Sequence, residues 1–167
     1  MAERDHLRQL TMLACPFPGN VIKSNPSGGG TYVAHPVVEQ RIIDALGYPP
    51  STSVVEILRG YVPGKAANPN GKSARAKAGT PDLDHAVVGC VLRMEMVIDG
   101  VPWFAEEAGD CEEPHNWPHD GARLKDATSD AYKRCAMRAG VALHLWAQDA
   151  FYLFDKLKKA DDAAVSP

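Results

Sequence analysis

The chain has 167 residues, 45% hydrophobic and 23% charged, with Lys+Arg 18 against Asp+Glu 21 and a formal net charge of −3. A chain of this length buries roughly two thirds of its unfolded surface, so it folds without a disulfide or metal staple. Its four cysteines form no CxxC pair, its start lacks an apolar leader, and its apolar stretches are far shorter than the ~18 residues of a membrane span. We therefore expect a cytoplasmic protein with reduced thiols and no membrane segment.

Two helices are predicted in the first third of the chain. Leucines at spacing three indicate a short helix over residues 3–13, ended by the prolines of CPFPGN. After the turn-rich segment SNPSGGG, the segment HPVVEQRIIDALGY has a proline near its start and meets Gly47 where a helix would end. One face of this second helix is apolar and consists of Val38, Ile42, Ala45 and Leu46.

The middle of the chain has the pattern of three strands. Residues 53–62 are rich in β-branched side chains and stop at a Pro-Gly pair. Between His85 and Ile98 the even positions from Val88 onward are apolar, which is typical of a half-buried strand. Asp99 and Gly100 form a favoured two-residue hairpin turn, so a return strand is expected over about 101–105.

Helical patterns return at the C-terminal end. A long helix is predicted over 122–146 and a shorter one over 149–160, followed by a disordered tail over 161–167. A sheet with one apolar face needs a helical layer to cover it. The sequence therefore predicts an α+β fold: a three-stranded antiparallel sheet covered by a long helix (a β-β-β-α core) with preceding helices, in one domain over residues 1–160.

Charge is distributed in blocks along the chain. Residues 99–120 carry seven acidic side chains and no lysine or arginine, whereas the segments 63–82 and 121–138 each have an excess of three positive charges. A small negative total is therefore compatible with nucleic-acid binding at one basic block. The acidic block is expected to keep nucleic acid off one face or to meet the basic surface of a neighbouring subunit.

Motifs of enzyme chemistry are weak. The segment GKAANPNGKS has six residues between its glycines where a phosphate-binding P-loop has four, so it is better interpreted as a basic surface loop. The adjacent pairs Glu106/Glu107 and Glu112/Glu113 point opposite ways on an extended chain, which disfavours joint acid–base catalysis. We therefore assign no catalytic residue and no cofactor.

One cluster contains the residue types of a zinc site. Cys111, His115 and His119 are spaced C-x3-H-x3-H beside many carboxylates. Pro114 and Pro118 prevent a regular helix from aligning them. A metal-dependent nucleic-acid enzyme built on this cluster stays open as an alternative function, although no metal is assigned.

The predicted long helix carries a basic stripe. Arg134 and Arg138 are four residues apart and share a face, Lys133 precedes Arg134 directly, and Lys125 lies eight residues before Lys133. This pattern fits an ordinary amphipathic helix with a solvated basic face, and it also fits a row that binds the phosphates of a nucleic acid. A second source of positive charge is the basic loop over 63–82, with Lys65, Lys72, Arg75 and Lys77.

Several segments, in this order, resemble one family. LACPFPGNVIK, GGGTYVAHPVVEQRIIDALGY and DATSDAYKRCAMRAGVALHLW are similar to the N-terminal run, the glycine-rich link with the first core helix, and the signature helix of single-strand annealing proteins of the Rad-fifty-two type, including their phage and bacterial Sak-like relatives. The hairpin AVVGCVLRMEMVIDGVPWFAEEAGD is similar to the family's second and third strands. The resemblance covers about residues 7–153.

The resemblance implies which residues contact DNA. Consecutive lysine and arginine residues on the family's signature helix line a groove that holds the backbone of single-stranded DNA, and they match Lys133 and Arg134. Arg138 lies one position beyond a further family arginine. The family arginine before the glycine run is replaced here by Asn25, with Lys23 nearby. Ile98 stands at the hairpin tip, where some members carry a lysine for an outer DNA site.

The implied function is ATP-independent binding of single-stranded DNA and annealing of complementary strands in homologous recombination and DNA repair. The implied partners are single-stranded DNA, further copies of the chain in a ring, and recombination proteins, in the cytoplasm of a bacterium or a phage-infected host. A ring-forming adaptor that does not bind DNA is the second alternative. The predicted nucleic-acid-binding residues are Lys133, Arg134, Arg138, Lys125, Lys23, Lys65, Lys72, Arg75 and Lys77.

Overall fold

The computed structural model describes residues 8–25 and 30–165, apart from the side chains of residues 75, 76, 164 and 165. Within these ranges the helices are α1 (Arg8–Ala14), α2 (His35–Leu46), α3 (Ala74–Ala78), α4 (Asp120–Arg138), α5 (Leu143–Ala147) and α6 (Leu153–Val165). The strands are β1 (Ile22–Ser24), β2 (Thr31–Val33), β3 (Ser51–Val62), β4 (Leu83–Ile98) and β5 (Val101–Asp110). Short 3-10 turns lie at Gly19–Val21, Pro114–Asn116 and Gln148–Ala150.

The strands β3, β4 and β5 form an antiparallel sheet in that order, packed against helices, so the predicted α+β fold is confirmed. The turn between β4 and β5 has positive φ at both Asp99 (52°) and Gly100 (78°), as a two-residue hairpin turn of type I′ requires. Alternate side chains of β4 face the helices and are buried, namely Cys90, Leu92, Met94, Met96 and Ile98.

The chain divides into two compact units, each built from segments that are distant in sequence. The first unit comprises Met1–Ser53, Arg93–Glu107 and Tyr132–Pro167, and the second comprises Val54–Leu92 and Ala108–Ala131. The sequence predicts one domain over 1–160 and contains no signal for this division, because β3, β4, β5 and α4 each run from one unit into the other.

Helix α2 begins and ends where the sequence predicts. Pro36 occupies its first turn, and Gly47, which follows its last residue, has a left-handed backbone (φ 84°). The N–H of Gly47 donates to the carbonyl of Ile43 at 2.7 Å and so closes the helix. The four residues predicted on its apolar face are all buried: Val38, Ile42, Ala45 and Leu46.

The long helix predicted over 122–146 is wrong at its C-terminal end, because α4 stops at Arg138. Gly140 has a φ of 92°, and its N–H donates to the Met137 carbonyl at 2.9 Å, while the N–H of Val141 donates to the Ala136 carbonyl at 3.1 Å. This pair of bonds is a Schellman motif, which favours glycine because a left-handed backbone strains other residues. An apolar pattern continues across the glycine and conceals this stop in the sequence.

Other boundaries differ from the predictions. Strand β5 continues to Asp110, beyond the expected end at 105, and more and less exposed side chains still alternate along this extension. Helix α6 spans Leu153–Val165, so residues 161–165, predicted to be disordered, lie in a helix, while 166 and 167 lie outside the described residues. The first helix spans Arg8–Ala14, and residues 3–7 of its predicted range also lie outside them.

A small hairpin of β1 and β2 was not predicted. Its strands flank the segment that reads as a turn-rich link, and the N–H of Asn25 donates to the carbonyl of Gly30 at 3.0 Å. Three-residue strands are too short for period-two alternation to be recognised. The hairpin belongs to the first unit and leads directly into α2.

Gly109 brings β5 into contact with the backbone of α4 in the second unit. A Cβ atom at this position would overlap the carbonyl oxygen of Ala127 and the backbone nitrogen of Ala131. Both alanines are fully buried. Small residues on the strand and on the helix therefore allow the two backbones to touch.

Replacement of Gly109 by alanine is expected to destabilise the protein by about 3 kcal/mol, because the clash is with backbone atoms that cannot rotate away. Gly60→Ala is the matched control: Gly60 is also a strand glycine, but its Cβ would lie 3.5 Å from the side chain of Val88, an ordinary contact. Urea unfolding should show a change of less than about 1 kcal/mol for the control. Equal stabilities of the two variants would contradict the contact.

Candidate nucleic-acid interface

Lys133 and Arg134 lie in the part of α4 that belongs to the first unit, and both side chains are half-buried. The preceding residue, Tyr132, is buried and stacks on the ring of His35 at the start of α2, with ring centroids 4.2 Å apart. Burial lowers the pKa of His35; nearby Glu39 opposes this effect and the charge of Lys133 adds to it. Lys133 therefore lies close to the N-terminal end of α2.

The hairpin of β1 and β2 presents a cation and an aromatic ring side by side. Lys23 pairs with Tyr32 in the strand register, so their side chains share one face of the hairpin. Lys23 is exposed and Tyr32 is 39% exposed. The sequence predicts Lys23 as a site residue but not Tyr32, because the pairing that places them together depends on strand register.

Arg138, the last residue of α4, is engaged in an ion pair within the first unit. Its Nε donates to Oε1 of Glu107 on β5. The Arg138 side chain is 65% exposed, whereas that of Glu107 is 21% exposed. This predicted phosphate-binding residue thus has a carboxylate partner in the chain itself.

The remaining predicted residues belong to the second unit. Lys125 is exposed on α4, and Lys72 and Lys77 are exposed in the basic loop. Lys65 forms an ion pair with Glu113 at 2.8 Å, and its backbone exchanges two hydrogen bonds with Thr80 that close the base of the loop. The side chain of Arg75 lies outside the described residues.

Most carboxylates of the acidic block have structural partners in this chain. Besides Glu107 and Glu113, Glu106 binds Arg93 at 3.0 Å. Asp99 accepts the N–H groups of Gln9 (3.1 Å) and Leu10 (3.3 Å) and so caps the first turn of α1.

Asp120, in the second unit, has three contacts among the described residues. It binds Arg59 at 2.6 Å, accepts the N–H of Val87 at 3.2 Å, and binds Arg123 at 2.9 Å. Together these partners lower its pKa to about 2, with Arg59 as the largest cause. The seven negative charges are thus largely used to hold the fold together, and a role toward DNA or a neighbouring subunit stays a prediction.

Cys111, His115 and His119 each have a separate structural partner. His115 Nε2 lies 3.0 Å from the carbonyl oxygen of Pro63, and Nδ1 of His119 accepts the N–H of Ala122 at 3.2 Å near the start of α4. Burial, with a contribution from Asp126, raises the pKa of the Cys111 thiol to about 11. Within residues 8–25 and 30–165, no three His, Cys, Asp or Glu side chains are grouped to hold a metal ion.

Comparisons of the chain with family models, with curated proteins and with solved structures give no match. None of the helices in the described part of the chain is long and apolar enough to cross a bilayer.

The reactivity of the Cys111 thiol toward an alkylating reagent tests whether the Cys111, His115 and His119 cluster binds a metal. A buried thiol with a raised pKa should resist alkylation by iodoacetamide at pH 8, whereas a thiolate prepared as a zinc ligand would have a lowered pKa. Peptide mass spectrometry of the native protein should find Cys15, which is partly exposed, labelled well before Cys111. Labelling of Cys111 at the rate of Cys15, with protection by added zinc, would contradict the structural role.

Proposed function

We propose that this protein binds single-stranded DNA through a cationic surface of its first unit and anneals complementary strands without ATP. The observation that carries the proposal is the Lys133–Arg134 pair, half-buried beside the stacked rings of His35 and Tyr132. Lys23 and Tyr32 lie on the hairpin that leads into α2, whose first residue is His35. The resemblance of α4 and of the glycine-rich link to annealing proteins supports the same assignment.

The residue types on this surface suit sequence-tolerant binding. Lysine and arginine neutralise phosphates whatever the base, and an exposed tyrosine offers a face on which any base can stack. Binding through the backbone leaves base edges available to a second strand. Annealing is then driven by base pairing, so it needs no nucleotide hydrolysis and no catalytic residue.

Self-association is part of the proposal. Strand β3 spans Ser51–Val62 at one edge of the sheet, and its first seven side chains are all exposed. Large apolar side chains, Val55 (54%), Ile57 (43%) and Tyr61 (62%), remain accessible along it. An edge strand of this length is a template for pairing with another chain. Head-to-tail contacts between copies close into a ring where the rotation per subunit allows it.

The exposed edge of β3 also favours the second candidate function, a ring-forming adaptor that does not bind DNA. Static light scattering with and without a thymidine oligonucleotide separates the two functions. An assembly that grows no heavier with the oligonucleotide would favour the adaptor, and an increase in mass would favour the annealing protein.

Lys133→Ala combined with Arg134→Ala is expected to weaken binding of a labelled thymidine oligonucleotide at least tenfold at physiological salt, because two phosphate contacts are lost. Lys158→Ala with Lys159→Ala is the matched control, since it removes the same charge from two consecutive, exposed residues of α6. Fluorescence anisotropy measures the affinities, and thermal melting verifies that both variants fold. Equal affinities of the two variants would remove the site assignment.

A further inference from the structure

The contact between Arg138 and Glu107 lies at the C-terminal end of the basic row on α4. Arg134 and Arg138 are one helical turn apart and share a face, so a phosphate backbone that follows the row from Lys133 meets Arg138 last. The guanidinium of Arg138 already donates to the Glu107 carboxylate. Because 65% of the Arg138 side chain is exposed, an anion from solution can still approach it.

Carboxylate and phosphate compete for the same donors of an arginine. A carboxylate presents two oxygen atoms on one carbon, and a tetrahedral phosphodiester presents two non-bridging oxygen atoms on one phosphorus; the guanidinium fork can bind either pair through parallel N–H groups. A surface ion pair of this kind contributes little to stability, so an incoming phosphate can displace the carboxylate at small cost.

The neighbouring carboxylate does not share this arrangement. Glu106 lies on the opposite face of β5, where it binds Arg93, and Arg93 in turn lies over the ring of Phe104 at 4.5 Å. Arg93 also binds Glu95 at 2.6 Å. Adjacent glutamates of one strand thus bind different cations: Glu106 binds Arg93, and Glu107 binds Arg138 at the end of the basic row.

We propose that Glu107 is a built-in competitor for DNA phosphate at Arg138 and so regulates the proposed DNA site, on whose existence this inference rests. Arg138 offers its Nε donor to DNA only after Glu107 is displaced. Strands held by Lys133 and Arg134 alone stay weakly bound, and the contact at Arg138 adds affinity only once the backbone runs the length of the helix. Weak initial binding of this kind lets a strand shift register before it is held firmly.

The experiment compares Glu107→Gln with Glu106→Gln, which removes the same charge one residue away on the other face of β5. Glutamine keeps the size of the side chain, so both variants should fold, and thermal melting verifies this. Affinity for a fluorescein-labelled thymidine oligonucleotide is measured by anisotropy across a range of NaCl concentrations. Glu107→Gln should bind about twofold to fivefold more tightly than Glu106→Gln. The slope of log affinity against log salt should also be steeper by about 0.7, as expected for one added phosphate contact.

A second pair of variants identifies Arg138 as the group that is released. In an Arg138→Gln background, Glu107→Gln should lose its advantage over Glu106→Gln. Equal affinities and slopes for the two glutamate variants, with the unmodified protein still binding the oligonucleotide, would overturn the role of Glu107 and leave the proposed function standing. Absence of binding by the unmodified protein and all variants would overturn both.

Discussion

In the first unit, the stacking of Tyr132 on His35 places α4 beside the start of α2, next to the candidate DNA-binding side chains. The two ring centroids are 4.2 Å apart, and the Tyr132 side chain is buried. Lys133 and Arg134 directly follow Tyr132 on α4, so this stack sets their position relative to the start of α2. Gly140 then ends the helix and makes Arg138 its last residue.

Charge in this chain is organised by ion pairing within the fold. The acidic segment supplies the partners of Arg93, Arg138, Lys65 and Arg59 and caps α1 through Asp99. Net charge is therefore a poor guide to whether a chain of this kind can bind nucleic acid, because most carboxylates of the acidic segment are matched locally. In the first unit, Arg138 has a carboxylate partner in Glu107, and this pairing depends on strand register and on the helix face.

The sequence predicts those elements whose signals are local. Helix α2 has its proline, its apolar face and its terminal glycine in one short segment, and Asp99-Gly100 specifies the hairpin by its backbone conformation. The end of α4 was missed because apolar residues continue past Gly140. Lys133 and Arg134 are predicted site residues, from the basic pattern of the helix and from a resemblance. Tyr32 beside Lys23, and Glu107 beside Arg138, were not predicted, because residues distant in sequence or paired across strands meet only in the folded chain.

The central claim is the proposal that the cationic surface around Lys133 and Arg134 anneals DNA. The most direct measurement mixes two complementary oligonucleotides, one with a donor dye and one with an acceptor dye. The protein is added at physiological salt and without ATP. The account predicts that energy transfer develops faster as protein is added, and that protein carrying both Lys133→Ala and Arg134→Ala gives the rate of the oligonucleotides alone. A rate unchanged by the unmodified protein would contradict it.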